Sequence, residues 1–136
     1  MAARSKARKR ALDILFEAEV RGEPVADLLA ERIALADPPV PGYAAELVRG
    51  VQEHAGQIDE LLAAHAHGWA LDRMPAVDRN VLRIGAYELL WRDEVPDAVA
   101  ISEAVVLAGD LSTDESPGFV NGLLGRLFEL KPTLVL

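Results

Sequence analysis

The sequence predicts an all-α fold, a compact bundle of six or seven helices. Apolar residues recur at three- and four-residue spacing in one segment after another, which is the period of an amphipathic helix. Clusters of proline and glycine separate these segments, and no convincing alternation of apolar and polar residues indicates a strand. The 136 residues can bury one core without a metal or disulfides, so we expect a single domain over residues 1–136.

The first half of the chain predicts three helical segments. The first covers about residues 4–21, and Pro24 suits the first turn of the second. After a proline-rich loop, the third runs from residue 43 to about residue 65, where Gly50 and Gly56 favour a kink or a division into two helices. The residues predicted to face inward on the second and third segments are Val25, Leu28, Leu29, Ile33, Tyr43, Leu47, Val51, Ile58, Leu61 and Leu62.

The second half predicts a central helix over about residues 77–90, because it is apolar around most of its circumference. Arg83 and Glu88 lie among its apolar residues and are most simply members of ion pairs or helix caps. A further helix is expected over about residues 97–109, and the last begins near Pro117. The apolar residues of the last helix are Phe119, Val120, Leu123, Leu124, Leu127 and Phe128.

Positive charge is concentrated at the N-terminus of an acidic chain. The first ten residues contain no acidic side chain, while the rest of the sequence has nine basic and 22 acidic ones. This separation favours a polyanionic partner such as RNA or DNA, bound locally because the acidic body repels phosphate. A solvated tail is the alternative, but the apolar spacing that follows indicates a docked helix. The basic residues are Arg4, Lys6, Arg8, Lys9 and Arg10.

The composition argues against enzyme chemistry. The chain has no cysteine, and two of its three histidines, His65 and His67, diverge on a helix because they are two residues apart. No group of residues suggests a nucleophile with its base, so we expect no catalysis, no metal and no cofactor. No apolar run approaches the roughly 20 residues of a membrane span, and no secretory signal is present, so we expect a cytoplasmic protein.

The start of the last helix contains an aromatic residue in an unusual setting. Ser116 suits the N-cap and Pro117 the first helical position, which places Phe119 in the first turn. An outward ring there could stack on an unpaired base of single-stranded RNA. The periodicity alone favours a core position for Phe119.

Five short motifs, in this order and spread over the chain, resemble the NusB family of bacterial transcription antitermination factors. Together they are far more specific than any one of them. They are Ala7-Arg8…Ala11-Leu12…Leu15-Phe16, Asp78-Arg79-Asn80-Val81-Leu82-Arg83-Ile84-Gly85-Ala86-Tyr87-Glu88-Leu89, Val95-Pro96, Ile101-Ser102-Glu103-Ala104 and Phe119-Val120-Asn121-Gly122-Leu123-Leu124.

The resemblance implies a helical bundle that binds the boxA element of nascent RNA together with NusE, a ribosomal protein of the small subunit. The pair would help RNA polymerase pass terminators, notably in ribosomal RNA operons. The family's basic first helix corresponds to the five cationic residues above, its RNA-facing aromatic to Phe119, and the acidic residue before it to Glu115. An acidic contact to NusE corresponds to Asp78.

Some features leave alternatives open. Ser5 interrupts what is often a tighter run of arginines, and Lys9 and Arg10 add charge where other members can be neutral or acidic. Some family members form homodimers that cover the RNA surface, and the sequence does not decide whether this one does. Two other classes fit the residues: a helical scaffold that binds proteins, and a non-catalytic accessory domain of an rRNA-modifying enzyme.

Overall fold

The computed structural model describes residues 2–136, and Met1, where the predicted domain begins, lies outside the described residues. The described chain forms seven α-helices and two short 3₁₀ turns, Leu71–Arg73 and Lys131–Thr133, with no strand. The predicted all-α bundle is confirmed. The helices are α1 (Ala3–Arg21), α2 (Val25–Leu35), α3 (Gly42–Glu53), α4 (Ala55–His65), α5 (Ala76–Trp91), α6 (Asp97–Leu111) and α7 (Ser116–Leu130).

Helix α5 is the centre of the bundle, as its apolar circumference predicts. It packs against α1, α3, α4, α6 and α7. Two glycines permit the closest of these approaches. A β-carbon on Gly50 would overlap the ring of Tyr87, and one on Gly85 would lie 2.7 Å from Cδ1 of Leu124. These glycines therefore let α3 and α7 approach α5, and neither of them interrupts its helix.

The third predicted segment divides into two helices, as expected. The break lies at His54, between the two glycines, where the backbone leaves the helical conformation. Ile33, predicted to face the core, is instead 41% exposed, and Phe128 of the last helix's apolar set is 46% exposed. Each lies at the margin of an apolar stripe, where the three- to four-residue spacing fixes the side chain's direction least well.

Helix α1 ends through a glycine cap. Gly22 adopts a left-handed conformation, with φ of 65°, and its N–H bonds to the carbonyls of Ala18 and Glu19. This cap fixes the helix end predicted at Arg21–Gly22. The start of α1 has no side-chain cap, so contacts with the rest of the bundle must hold the basic segment in place.

The charged residues of α5 join it to its neighbours. Arg83 donates to both carboxylate oxygens of Asp59 at 2.9 and 3.0 Å, and to Glu19 at 3.1 Å. Arg79 donates to both oxygens of Glu19 at 3.0 and 2.6 Å. These hydrogen bonds, of which that from Arg79 has the largest effect, lower the pKa of Glu19. The expectation that Arg83 belongs to an ion pair is confirmed.

None of the helices in residues 2–136 combines the length and the apolar character that crossing a membrane requires.

Candidate nucleic-acid interface

The N-terminal cationic residues lie on the first turns of α1 and divide into two groups. Arg4, Lys6 and Lys9 are exposed, and Arg10 is half-buried, with Nη2 3.5 Å from the carbonyl oxygen of Pro38. The exposed side chains point away from the core because Ala7 and Arg8, which lie between Lys6 and Lys9, are buried. Lys6, Lys9 and Arg10 line one open depression on the surface of α1, together with Asp13.

Arg8 differs from the other four because its side chain is buried. It is 3% exposed, and its Nε and Nη2 donate to the two carboxylate oxygens of Glu88 at 2.8 and 3.0 Å. A further contact of 3.2 Å joins Nη1 to Glu103 on α6. Burial alone lowers the pKa of Arg8, but the hydrogen bonds and charge of Glu88 raise it overall. The guanidinium is therefore charged and occupied within the protein.

The prediction that Arg8 binds RNA phosphates therefore needs correction. Arg8 lies on the same helical face as the exposed Arg4, one turn before it, and the buried Leu12, one turn after it. The apolar spacing therefore does not show whether the Arg8 side chain is buried or exposed. Its partner Glu88 lies 80 residues away, and this separation is why the N-terminal segment gives no sign of the pair. Glu88 was expected to join an ion pair, and it does so with Arg8.

A tyrosine that the sequence assigned to the core contributes to the cationic surface. The Tyr43 ring lies 4.2 Å from the guanidinium carbon of Arg4 and 5.2 Å from that of Arg92, and its hydroxyl donates to Glu88. Burial and this hydrogen bond raise the pKa of Tyr43 well above its ordinary value, so the hydroxyl stays protonated. Cation–π contacts of this kind hold Arg4 near the bundle, whereas Arg92 is only 18% exposed and is already paired with Glu94 at 2.6 Å.

The sequence offered one signal for this arrangement. Tyr43 follows Gly42 at the start of α3, so it stands at a helix end where a ring can reach a neighbouring helix. Arg92 is the first residue after α5, and nothing in the local pattern indicates that α5 ends beside α1 and α3.

Phe119 lies at the edge of an aromatic cleft. It is half-buried, and its ring packs edge-to-face on Trp69, with ring centroids 5.1 Å apart. His67, Gly68 and Glu115 complete an open cleft of about 220 Å³. The ring is thus neither fully in the core nor free, and the exposed carboxylate of Glu115 stands at the same cleft. The sequence motifs do not indicate that Trp69 takes part, so its pairing with Phe119 is a finding of the structure.

Asp78, predicted to contact a protein partner, is fully buried at the start of α5. Its Oδ2 accepts a hydrogen bond of 2.8 Å from the hydroxyl of Ser116, which is also fully buried. Ser116 does not cap α7 as predicted, since its oxygen accepts the N–H of Thr113 at 3.2 Å instead. In this conformation Asp78 fastens the α6–α7 connection to α5 and presents no surface to a partner.

Comparison with known proteins decides the family. The family model described as the NusB family matches residues 5–129. The chain belongs to the NusB family. It is 63% identical over 134 residues to the transcription antitermination protein NusB of a Nocardioides species, covering 98% of this chain and 99% of that protein.

Solved structures agree with this assignment. Thermotoga maritima NusB superposes with a TM-score of 0.82 at 34% identity, over 94% of this chain and 92% of that one. A crystal structure of the antitermination factors NusB and NusE in complex with double-stranded RNA superposes with a TM-score of 0.78 at 27% identity, over 93% and 96% of the two chains. NusB proteins are antitermination factors and not enzymes, in agreement with the absence of catalytic chemistry expected from the sequence.

Proposed function

We propose that this protein is a transcription antitermination factor that binds boxA-containing nascent RNA together with NusE. In that role it helps RNA polymerase pass terminators, notably in ribosomal RNA operons. The observation that carries the proposal is the group of exposed cations on the first turns of α1, Arg4, Lys6 and Lys9, on a body that is otherwise acidic. The related NusB crystallised with NusE and RNA supports both partners.

The RNA would lie across α1 and meet the aromatic cleft. Exposed lysines and arginines bind phosphates without regard to sequence, and such binding weakens as salt concentration rises. Phe119, with Trp69 behind it, offers a ring on which an unpaired base can stack. Glu115 beside it would accept a hydrogen bond from a base amino group. Lys6, Lys9, Arg4 and Arg10 are thus the phosphate-binding residues that we propose.

Arg8 has a different role in this proposal. Its pair with Glu88 holds α1 against α5, so the cations on either side of it keep fixed positions. A charged surface that is already ordered loses less conformational entropy on binding than a flexible tail does.

The acidic remainder of the protein would bind NusE. Nine basic and 22 acidic residues follow residue 10, and such an excess attracts a basic ribosomal protein to a face distinct from the RNA-binding helix. Asp78 is too deeply buried to be that contact, so other acidic residues must supply it. Simultaneous binding of RNA and NusE would raise the affinity for RNA by joining two weak contacts.

The protein would join the antitermination complex of RNA polymerase, and it would act in the cytoplasm, where transcription takes place in bacteria. A homodimer that covers α1 would compete with RNA, and sedimentation with and without RNA would reveal it as a dimer that dissociates when RNA binds.

The decisive experiment measures binding to a short boxA RNA and to a scrambled RNA of the same composition. Each is titrated with and without NusE across a salt series. We expect preference for boxA, strengthened by NusE, and an affinity that falls linearly with salt on logarithmic axes. Equal binding of the two RNAs would contradict the proposal and favour a protein-binding scaffold. Chemical modification of ribosomal RNA seen only when a separate catalytic chain is added would favour the accessory-domain alternative.

A further inference from the structure

A small groove separates the basic end of α1 from the last turns of α6. Its volume is about 110 Å³, and Lys9, Val106 and Leu111 are among the residues that line it. An enclosed apolar cavity of about 150 Å³ can bind benzene, so a groove of this size that is open on one side suits a single flat ring. It shares no lining residue with the Phe119 cleft, and residues 112–114 lie between the two sets along the chain.

The rim of the groove is apolar where a surface would be expected to be polar. Val106 is 52% exposed and Leu111 is 40% exposed, although both lie beside an exposed lysine and an exposed aspartate, Asp110. Leu107 forms the floor and is buried. Exposed apolar side chains beside a charged rim are typical of a site that receives a ligand with a hydrophobic face.

Two carboxylates give the groove a polar side. Glu103 is held in position, because its Oε1 accepts the Ser5 hydroxyl at 2.7 Å and lies 3.2 Å from Nη1 of Arg8. Asp110 is exposed near the end of α6. Carboxylates accept hydrogen bonds and cannot donate them when ionised, so they select a ligand edge that carries N–H groups.

We infer that this groove is a nucleobase subsite: it receives one unpaired base of the bound RNA and prefers a base with an exocyclic amino group. The inference rests on the proposed RNA-binding function. Lys9 lies at the groove and also in the basic depression on α1, so a phosphate bound there brings its own base to the apolar rim. The exposed carboxylate of Asp110 then accepts from the amino group, which adenine, cytosine and guanine carry and uracil lacks.

The competing occupant is an apolar side chain from a protein partner. The groove's position favours the base, because it opens directly beside the cations of α1 and its volume is too small for a helix or a strand. An apolar side chain there would cover a lysine and two carboxylates without offering them hydrogen bonds, and such desolvation costs free energy.

The test combines a filled groove with abasic RNA. Val106→Trp fills the groove from an exposed position, and Val99→Trp is the matched control, two turns earlier on α6 at 39% exposure. The probes are a synthetic boxA RNA and a series in which each nucleotide in turn is abasic. For the unmodified protein we expect one position whose loss weakens binding about tenfold in addition to the position stacked on Phe119. Removing the base at that position should not weaken RNA binding by Val106→Trp any further. It should weaken binding by Val99→Trp as much as it weakens binding by the unmodified protein.

The outcomes separate the two proposals. If the unmodified protein does not bind intact boxA RNA more tightly than scrambled RNA, both the proposed function and the subsite are wrong. If boxA binding is intact but Val106→Trp gives the same profile as Val99→Trp, the subsite alone is overturned. The same holds if only NusE binding suffers in Val106→Trp, since a protein side chain is then the occupant.

A second variant tests the chemistry of the base. Asp110→Asn replaces an acceptor by a group that can also donate, without changing its size. At the position identified by the abasic series, we expect the unmodified protein to bind a cytidine about tenfold more tightly than a uridine. Asp110→Asn should lose most of that difference. An unchanged preference would exclude Asp110 and overturn the selection for amino-bearing bases.

Discussion

Arg8 and Glu88 form a buried two-point ion pair, with Nε and Nη2 of the arginine 2.8 and 3.0 Å from the two carboxylate oxygens. The pair joins the first turns of α1 to the last turns of the central helix α5. Tyr43 donates a third hydrogen bond to the same carboxylate, and Glu103 contacts the arginine from α6. Four helices therefore meet at one charge cluster directly beneath the cationic surface.

Removal of either partner should destabilise the protein strongly. Arg8→Ala leaves the Glu88 carboxylate buried without its cation, and we expect a loss of about 3–5 kcal/mol in the free energy of unfolding, measured with urea. Lys9→Ala is the matched control, because Lys9 is the next residue and is exposed. We expect its effect to stay within about 0.5 kcal/mol. Equal effects of the two variants would mean that the pair contributes nothing beyond a surface charge.

The helices followed from sequence patterns because each pattern is local. Apolar spacing, proline-rich breaks and the Gly22 cap lie within the segments that they define. The burial of Arg8 and Asp78 depends on partners 80 and 38 residues away, which no local pattern contains. A charged residue near exposed cations was therefore expected to be exposed as well. The pairing of Phe119 with Trp69 is hidden for the same reason, since Phe119 lies in the first turn of α7 and Trp69 in the irregular segment between α4 and α5.

Phosphate binding should depend on the exposed lysines of α1. We expect Lys6→Ala and Lys9→Ala each to weaken boxA binding and to lower the slope of log affinity against log salt by about 0.7, the contribution of one phosphate contact on a single strand. Arg21→Ala is the control, because Arg21 is exposed at the other end of the same helix, roughly 20 Å from the two lysines at 1.5 Å per residue. A salt slope that none of the three variants changes would exclude α1 as the phosphate site.

Base stacking should depend on Phe119 and not on aromatic surface in general. Phe119→Ala should weaken boxA binding about tenfold or more, since a stacked base contributes roughly 1–3 kcal/mol. Phe128→Ala on the same helix removes a ring that is 46% exposed and should leave binding unchanged. In a Trp91→Phe background, the fluorescence of Trp69 should respond to RNA, because the two rings are in contact. Equal losses from both phenylalanine variants would indicate a fault in folding.

The Asp78–Ser116 hydrogen bond should stabilise the fold and leave NusE association to other residues. Asp78→Ala removes the acceptor of a fully buried hydroxyl, and we expect a cost of about 1–3 kcal/mol in urea unfolding. Ser116→Ala should cost a similar amount, and the double variant should cost less than the sum of the two. For protein that remains folded, the affinity for NusE should be unchanged. Weakened NusE binding by a fully folded Asp78→Ala would restore Asp78 as a partner contact.

Acid should weaken the protein partly through Glu19. The hydrogen bonds from Arg79, and then the one from Arg83, hold the pKa of Glu19 below its ordinary value of 4.5. A depressed folded-state pKa gives stabilisation that is present above the ordinary value and is lost as the pH falls through the lower one. Because the carboxylate is 29% exposed, we expect only about 1 kcal/mol from it at neutral pH. Glu19→Gln should remove this part of the acid dependence of unfolding, measured with urea at a series of pH values. Glu53→Gln, at an exposed glutamate that ends α3, should retain it, and identical pH profiles for all three proteins would show that the Arg79 and Arg83 contacts add no stability.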